Sequence, residues 1–217
     1  MRADLHIHSS FSNDGTSSVE EIVDAAKAKG LGCIAIADHN SFEAYEIASR
    51  FDGIIVIPAE EVSSSEGHIL AYGIDRRIER GHSIMDTIDM IHDAGGIAVA
   101  AHPYRWWSGI GEKNVVPEFD AIETFNARSK KGSNNKAKRL AFRMGRPFTG
   151  GSDAHHASCV GDAYTELPDS VSCWEDVIKE ILAGNVKVGG KHRTRSDTMR
   201  YGYKSITEWI GRGFKKM

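Results

Sequence analysis

The chain has 217 residues, 41% of them hydrophobic and 26% charged, with a formal net charge of −3. That length and apolar share suit one domain with a sizeable core, and the charge balance excludes a surface built for general polyanion binding. Cys33, Cys159 and Cys173 are far apart and form no CxxC pair; with no apolar leader and no run approaching a membrane span, this points to a cytoplasmic protein without a disulfide framework or thiolate zinc knot.

Apolar runs alternate with helical patterns along most of the sequence, the signature of parallel β/α architecture. A first strand over Ala3–His8 carries His6 and His8 on one side, because alternate residues of an extended chain share a face. Ser17 or Ser18 caps a helix with Val19, Ile22, Val23 and Ala26 on its apolar side, and Gly30 ends it. The compact run from Cys33 to Ala37 reads as a buried strand delivering Asp38 and His39, and Asn40 to Glu43 as a capping box for a second, short helix. Ile54–Ile57 is a third strand with Pro58-Ala59-Glu60-Glu61 at its carboxyl end. His68–Tyr72 is a fourth strand, and Ser83–Ala94 a helix stopped by Gly95-Gly96. Ile97–Ala101 is a fifth strand, ending in His102-Pro103. Residues 104–117 form a long loop with Trp106 and Trp107, of the kind that often serves as a lid or binding loop. Ala121–Phe125 is a sixth strand, Ser129–Asn135 a polar loop, and Lys136–Met144 a helix. Pro147-Phe148-Thr149 leads into Gly150-Gly151-Ser152-Asp153-Ala154-His155. A helix over Trp174–Leu182, a short strand over Val186–Val188 and a basic tail helix near 198–214 complete one domain, of which residues 184–217 form a basic C-terminal appendage.

Ten histidines are the compositional oddity. His6, His8, His39, Glu60, His102, Asp153 and His155 all fall at or just beyond the carboxyl ends of apolar runs, and in parallel β/α folds those ends share the face where active sites gather. His68 begins its strand and reaches that edge if the strand runs antiparallel. Asp14, in the Ser/Asn/Gly loop after the first strand, is within range. Each motif alone has an ordinary structural account: Asp14-Gly15 as a turn, Asp38-His39 as a cap, His102-Pro103 as a strand terminator. Their recurrence at one edge argues for a metal site. His82, His92 and His192 read as surface residues.

The ordered set Asp-Leu-His-Ile-His (4–8), Ala-Asp-His-Asn (37–40), Pro-Ala-Glu (58–60), Ala-His-Pro (101–103) and Ser-Asp-Ala-His (152–155) resembles the motifs of the PHP (polymerase and histidinol phosphatase) superfamily. The resemblance implies a distorted (β/α)7 TIM-like barrel of parallel strands with outer helices, two or three divalent ions, and phosphoesterase activity. Carried over by position, one ion would take His6, His8, Glu60 and Asp153. A second would share Glu60 and add His68 and His102, and a third would take Asp14, His39 and His155. Arg105, two residues beyond Pro103, matches a phosphate-binding arginine of family members that act on nucleotide bisphosphates.

Imidazole and carboxylate donors without thiolate suit Zn, Mn or Fe(II). A bridging carboxylate holding two ions would generate a hydroxide near neutral pH to attack phosphorus, with Glu60, Asp153 and His155 as the catalytic set. Arg105 and Arg128 would orient substrate phosphate, Arg128 having an equal claim to be a loop cation. Trp106 and Trp107 either stack on a nucleobase or anchor their loop by packing. The expected substrate is a small phosphomonoester, a nucleotide (bis)phosphate or a short oligonucleotide, without a membrane partner or a stable nucleic-acid complex. Two alternatives are amidohydrolase-type carbon–nitrogen hydrolysis, whose frequent bridging lysine has no counterpart in the strand runs, and a non-catalytic partner-binding module.

Overall fold

The computed structural model describes residues 1–106 and 108–192. Trp107, the tail helix expected near 198–214 and most of the C-terminal appendage lie outside the described residues.

The first sheet has the order β10-β9-β1-β2-β3, built from β1 (Arg2–Ile7), β2 (Cys33–Ile36), β3 (Ile55–Val56), β9 (Ala163–Glu166) and β10 (Lys187–Gly190). The second runs β4-β5-β6-β7-β8, from β4 (Ala59–Ser63), β5 (His68–Tyr72), β6 (Ile97–Ala100), β7 (Ala121–Asn126) and β8 (Phe148–Gly151). The expected all-parallel arrangement is corrected to a mixed one. β1-β2-β3 and β6-β7-β8 are parallel, whereas β5 is antiparallel to both β4 and β6, and β9 to both β1 and β10. Hydrogen bonding gives two sheets rather than one closed sheet among the described residues. They meet at two seams, Ile7 beside Ala154 and His39 beside Glu61. Asp153 N donates to His6 O at 2.6 Å and His8 N to Ala154 O at 2.8 Å at the first; Asn40 N donates to Glu61 O and Glu61 N to Asp38 O, both at 3.1 Å, at the second.

Strands buried on both faces explain the near-continuous apolar runs. Ala3, Leu5, Cys33 and Ala35 from the first sheet pack with Leu70, Tyr72 and Val99 from the second, together with Val177 and Ile181 of α5 (Trp174–Leu182). The opposite faces carry helices. Ile22, Val23 and Ala26 of α1 (Val19–Ala28) cover Ile34 and Ile36, and Ala44 and Ala48 of α2 (Glu43–Ala48) join them. Ile88 and Ile91 of α3 (Ile84–Asp93) and Leu140 of α4 (Lys131–Met144) cover Ile69, Ala98 and Ile122.

Local chemistry sets the boundaries. Ser18 and Glu21 form a reciprocal capping box at the start of α1, at 3.2 and 2.9 Å. The capping box expected at Asn40 does not form: Asn40 has φ 55° and spends its amide on Ser63, accepting from Ser63 N at 2.9 Å and donating to Ser63 Oγ at 3.0 Å. α4 starts at Lys131, five residues before the expected Lys136, because buried Asn134 binds the Asn126 backbone, accepting from its N–H and donating to its C=O, instead of breaking the helix. Pro58 separates two strands where one strand end was expected. Ala59–Ser63 is therefore an element of the second sheet, and this decides which glutamate enters the site.

Candidate metal centre

β4 alternates its side chains between faces. Ala59 joins the inter-sheet core while Val62 packs beneath the helices, so Glu61 points inward with Ala59 and Glu60 points outward with Val62. The expected role of Glu60 is corrected accordingly. Its Oε2 accepts the Ile78 N–H at 2.9 Å, and burial raises its pKa to about 7. Glu61 occupies the centre instead. Its Oε2 lies 3.2 Å from both His6 Nε2 and His8 Nε2 and 3.3 Å from His39 Nδ1. Its Oε1 lies 3.0 Å from His68 Nδ1 and 3.0 Å from His102 Nε2. One carboxylate thus faces five imidazoles, three through one oxygen and two through the other. Val62, two residues after Glu60, was the signal that could have chosen between the adjacent glutamates.

The reversal of β5 places His68 opposite Ser63, so a strand's beginning reaches the edge where its neighbours end. Asp153 comes from beyond β8. Its Oδ1 lies 3.7 Å from His8 Nε2 and 3.5 Å from His155 Nδ1, and its Oδ2 lies 3.9 Å from His102 Nε2. Asp14 Oδ2 lies 2.7 Å from His155 Nε2 and 3.9 Å from His39 Nε2. His102 and Asp153 have φ values of 26° and 53°, sparsely populated conformations that aim both side chains inward at a backbone cost. Gly151 has no alternative: a Cβ there would lie 2.5 Å from the Cβ of His6.

Arg105 and Arg128 enter from the loops after β6 and β7. Arg105 donates from Nη2 to Asn126 Oδ1 at 2.7 Å and to Asp153 Oδ2, and Arg128 Nη1 donates to Asp153 Oδ1 at 2.8 Å. Trp106 is exposed.

Charge states follow from these neighbours. Burial pushes Glu61 and Asp153 up, but the imidazoles around Glu61, and Arg105 and Arg128 beside Asp153, hold both well below the ordinary carboxylate range. Burial lowers His39 and His102 to about 4, and lowers His8 and His155 as well. His6 is the counter-case. Burial alone would lower it, yet Glu123, Asp153 and Glu61 together raise it.

The donors fit divalent ions. His6 Nδ1 lies 2.9 Å from Glu123 Oε1 and therefore carries a proton there, leaving Nε2 as the nitrogen that can turn a lone pair to an ion. Ser12 Oγ donates to Asp38 at 2.8 Å and so accepts from His8 Nδ1 at 3.2 Å, leaving His8 Nε2 to do the same. These two nitrogens lie 3.1 Å apart and each 3.2 Å from Glu61 Oε2, a donor trio that suits a divalent ion in place of the proton that the surrounding carboxylates favour on His6. Asp14 Oδ1 and His39 Nδ1 are buried without a hydrogen-bond partner among the described residues. Four overlapping donor groups result: His8-Asp14-His39-His155, His6-His8-Glu61, His6-His102-Asp153 and His39-Glu61-His68. Of the residues expected at the site, only Glu60 lies away from it. Glu61, Glu123 and Asn126 were not anticipated.

The PHP domain family matches residues 4–145, and a family described as PHP-associated matches residues 131–186. An uncharacterized protein of Methanocaldococcus jannaschii is 35% identical over 150 residues, covering 62% of this chain and 87% of the relative. A two-domain protein from Bacteroides vulgatus, described as containing a predicted PHP-like metal-dependent phosphoesterase, superposes with a TM-score of 0.75 at 16% identity over 88% of this chain; the chain spans 65% of its length. An amidohydrolase from Chromobacterium violaceum, solved with sulfate and no metal, superposes with a TM-score of 0.67 at 20% identity, covering 85% of this chain and 97% of that one. At these identities the two structures share the fold with this chain. Among the described residues no helix is long and apolar enough to cross a membrane.

Proposed function

We propose, from the premise that this chain belongs to the PHP domain family, that it is a metal-dependent phosphoesterase acting on a small phosphomonoester, a nucleotide (bis)phosphate or a short oligonucleotide. The observation that carries this reading is the double-sided presentation of Glu61, with a separate set of imidazoles converging on each oxygen. The two seams, taken with the pairings inside the sheets, support a distorted seven-strand barrel in which β1, β2, β4, β5, β6, β7 and β8 follow one another around the centre.

His6, His8, Glu61 and Asp153 would hold one ion, Glu61 with His68 and His102 a second, and Asp14, His39 and His155 a third. Zn, Mn and Fe(II) all suit these donors. Bound ions supply Lewis-acid chemistry, acidifying water and neutralising charge on phosphoryl oxygens. The chain supplies the rest. Arg105 and Arg128 stand beside Asp153, where their planar forks can orient a phosphate and stabilise its developing charge. His155, its pKa lowered by burial and Arg128, is neutral at pH 7 and suits a donor of lone pairs rather than a resident acid. Asp153 and Glu61 stay ionised throughout and hold the imidazoles in register.

Carbon–nitrogen hydrolysis is the second reading, prompted by the Chromobacterium violaceum structure. The carboxylate at the bridging place and the paired arginines favour phosphoesters. Metal analysis of the purified protein tests the centre, with two or three ions per chain expected. Turnover of p-nitrophenyl phosphate, histidinol phosphate, nucleoside 3′,5′-bisphosphates and short oligonucleotides, run beside simple amides, tests the chemistry. Failure to bind any ion, or turnover of amides alone, overturns the proposal.

A further inference from the structure

Glu123 is buried on β7, where it meets the His6 ring, the His102 backbone and the Asn126 amide. Its Oε1 lies 2.9 Å from His6 Nδ1. Its Oε2 accepts the His102 backbone N–H at 2.8 Å, at a residue held at φ 26°. Asn126 Nδ2 donates to both its oxygens, at 3.2 and 3.1 Å, and to Asp153 Oδ2 at 2.9 Å. Every acceptor direction of the carboxylate is therefore spent on a group that presents a donor atom to the centre, or on the amide linking it to Asp153.

We propose that Glu123 is the positioning residue of the centre, an inference that rests on the metal-dependent reading above. It holds a proton on His6 Nδ1, so that Nε2 is the nitrogen offered to an ion, and it pins the strained His102 backbone so that this ring meets Glu61. Asn126 extends the same brace to Asp153. A carboxylate behind a histidine ligand both orients the ring and raises its basicity, and losing such a partner weakens metal binding by about 10–100-fold. Because the hydrogen bonds of Glu123 go to His6, His102 and Asn126 and not to Asp14, His39 or His155 among the described residues, the loss falls on the two donor groups containing His6. The group His8-Asp14-His39-His155 keeps its affinity.

The test is Zn2+ titration of metal-free protein against a competing chelator, for wild type, Glu123→Gln and Thr124→Val. Thr124 is a buried neighbour on the same strand and controls for disturbance of the fold. Glu123→Gln should lower the affinity of one class of Zn2+ by about 10–100-fold and leave another class unchanged, while Thr124→Val alters neither. Equal affinities in Glu123→Gln and wild type, or a uniform loss across all classes, overturns the proposal. A wild type that binds no Zn2+ overturns the metal-dependent reading itself, so the two failures are distinguishable. A second measurement needs no variant: nitrogen NMR of the imidazoles in Zn2+-loaded wild type should show His6 protonated at Nδ1. A His6 protonated at Nε2 with a bare Nδ1 refutes the assignment.

Discussion

Changing each member of the Glu60–Glu61 pair to its amide should give opposite outcomes, because one residue of register puts them on opposite faces of β4. Unfolded, Glu60 ionises near the ordinary 4.5; folded, it keeps its proton to about 7. Between those values the native state binds more protons than the unfolded chain, so stability falls as pH rises through the window and the full cost is felt above it. At 1.36 kcal/mol per pH unit that cost is at most ~3 kcal/mol. Glu60→Gln removes the ionisation and keeps an oxygen to accept the Ile78 N–H. Metal-free Glu60→Gln should therefore melt above metal-free wild type by up to roughly 6–12 °C at pH 8, and at the same temperature near pH 4. Its Zn2+ affinity should be unchanged. Glu61→Gln should lose far more affinity than the about 10–100-fold that a supporting residue costs, since both its oxygens face donor atoms of the centre. Thermal melts of chelator-treated protein across pH 4–8 and Zn2+ titration make the comparison. Loss of Zn2+ binding in Glu60→Gln with retention in Glu61→Gln would refute the register.

His8→Ala and Asp153→Ala should abolish turnover while circular dichroism stays native, and residual activity near wild type in either would remove it from the site. Arg105→Ala should raise KM several-fold for substrates with a second phosphate and leave kcat for p-nitrophenyl phosphate near wild type, read from steady-state kinetics. Gly151→Ala should destabilise the protein by about 1–3 kcal/mol, measured by urea unfolding, because the new methyl would collide with the backbone and Cβ of His6. Chelating the metal should lower the melting temperature: ions present at 1,000 times their Kd contribute ~4 kcal/mol, worth roughly 8–16 °C for a domain of this size.

Most donor residues were legible because polar groups at the ends of apolar runs are rare and here recur. Parity was harder to read, with Val62 its one signal. Adjacent glutamates differ only in which face of the strand they occupy, and that depends on where one strand ends and the next begins; Pro58 opened a new strand in the other sheet. The reversal of β5 was visible only as an exception at His68, since an apolar run carries no direction. Glu123 and Asn126 went unnoticed because a brace lies one layer behind the donor atoms and shows no motif of its own. The early start of α4 was hidden by Asn134, a residue that ordinarily reads as a loop until its amide is seen to clasp the Asn126 backbone.

The seams between the sheets have a mechanical consequence. Few backbone bonds cross them among the described residues, and the donors are divided between the two sides: His6 lies on β1 and His8 and His39 follow strands of the first sheet, while Glu61, His68, His102 and Asp153 belong to the second or follow its strands. Ions held in common would rivet the sheets together at the points where hydrogen bonding is thinnest. Stripping them should let the amides of His8 and Asn40, which donate across the seams, exchange with solvent well before those inside either sheet, so the joint would open while the plates on each side of it stay whole.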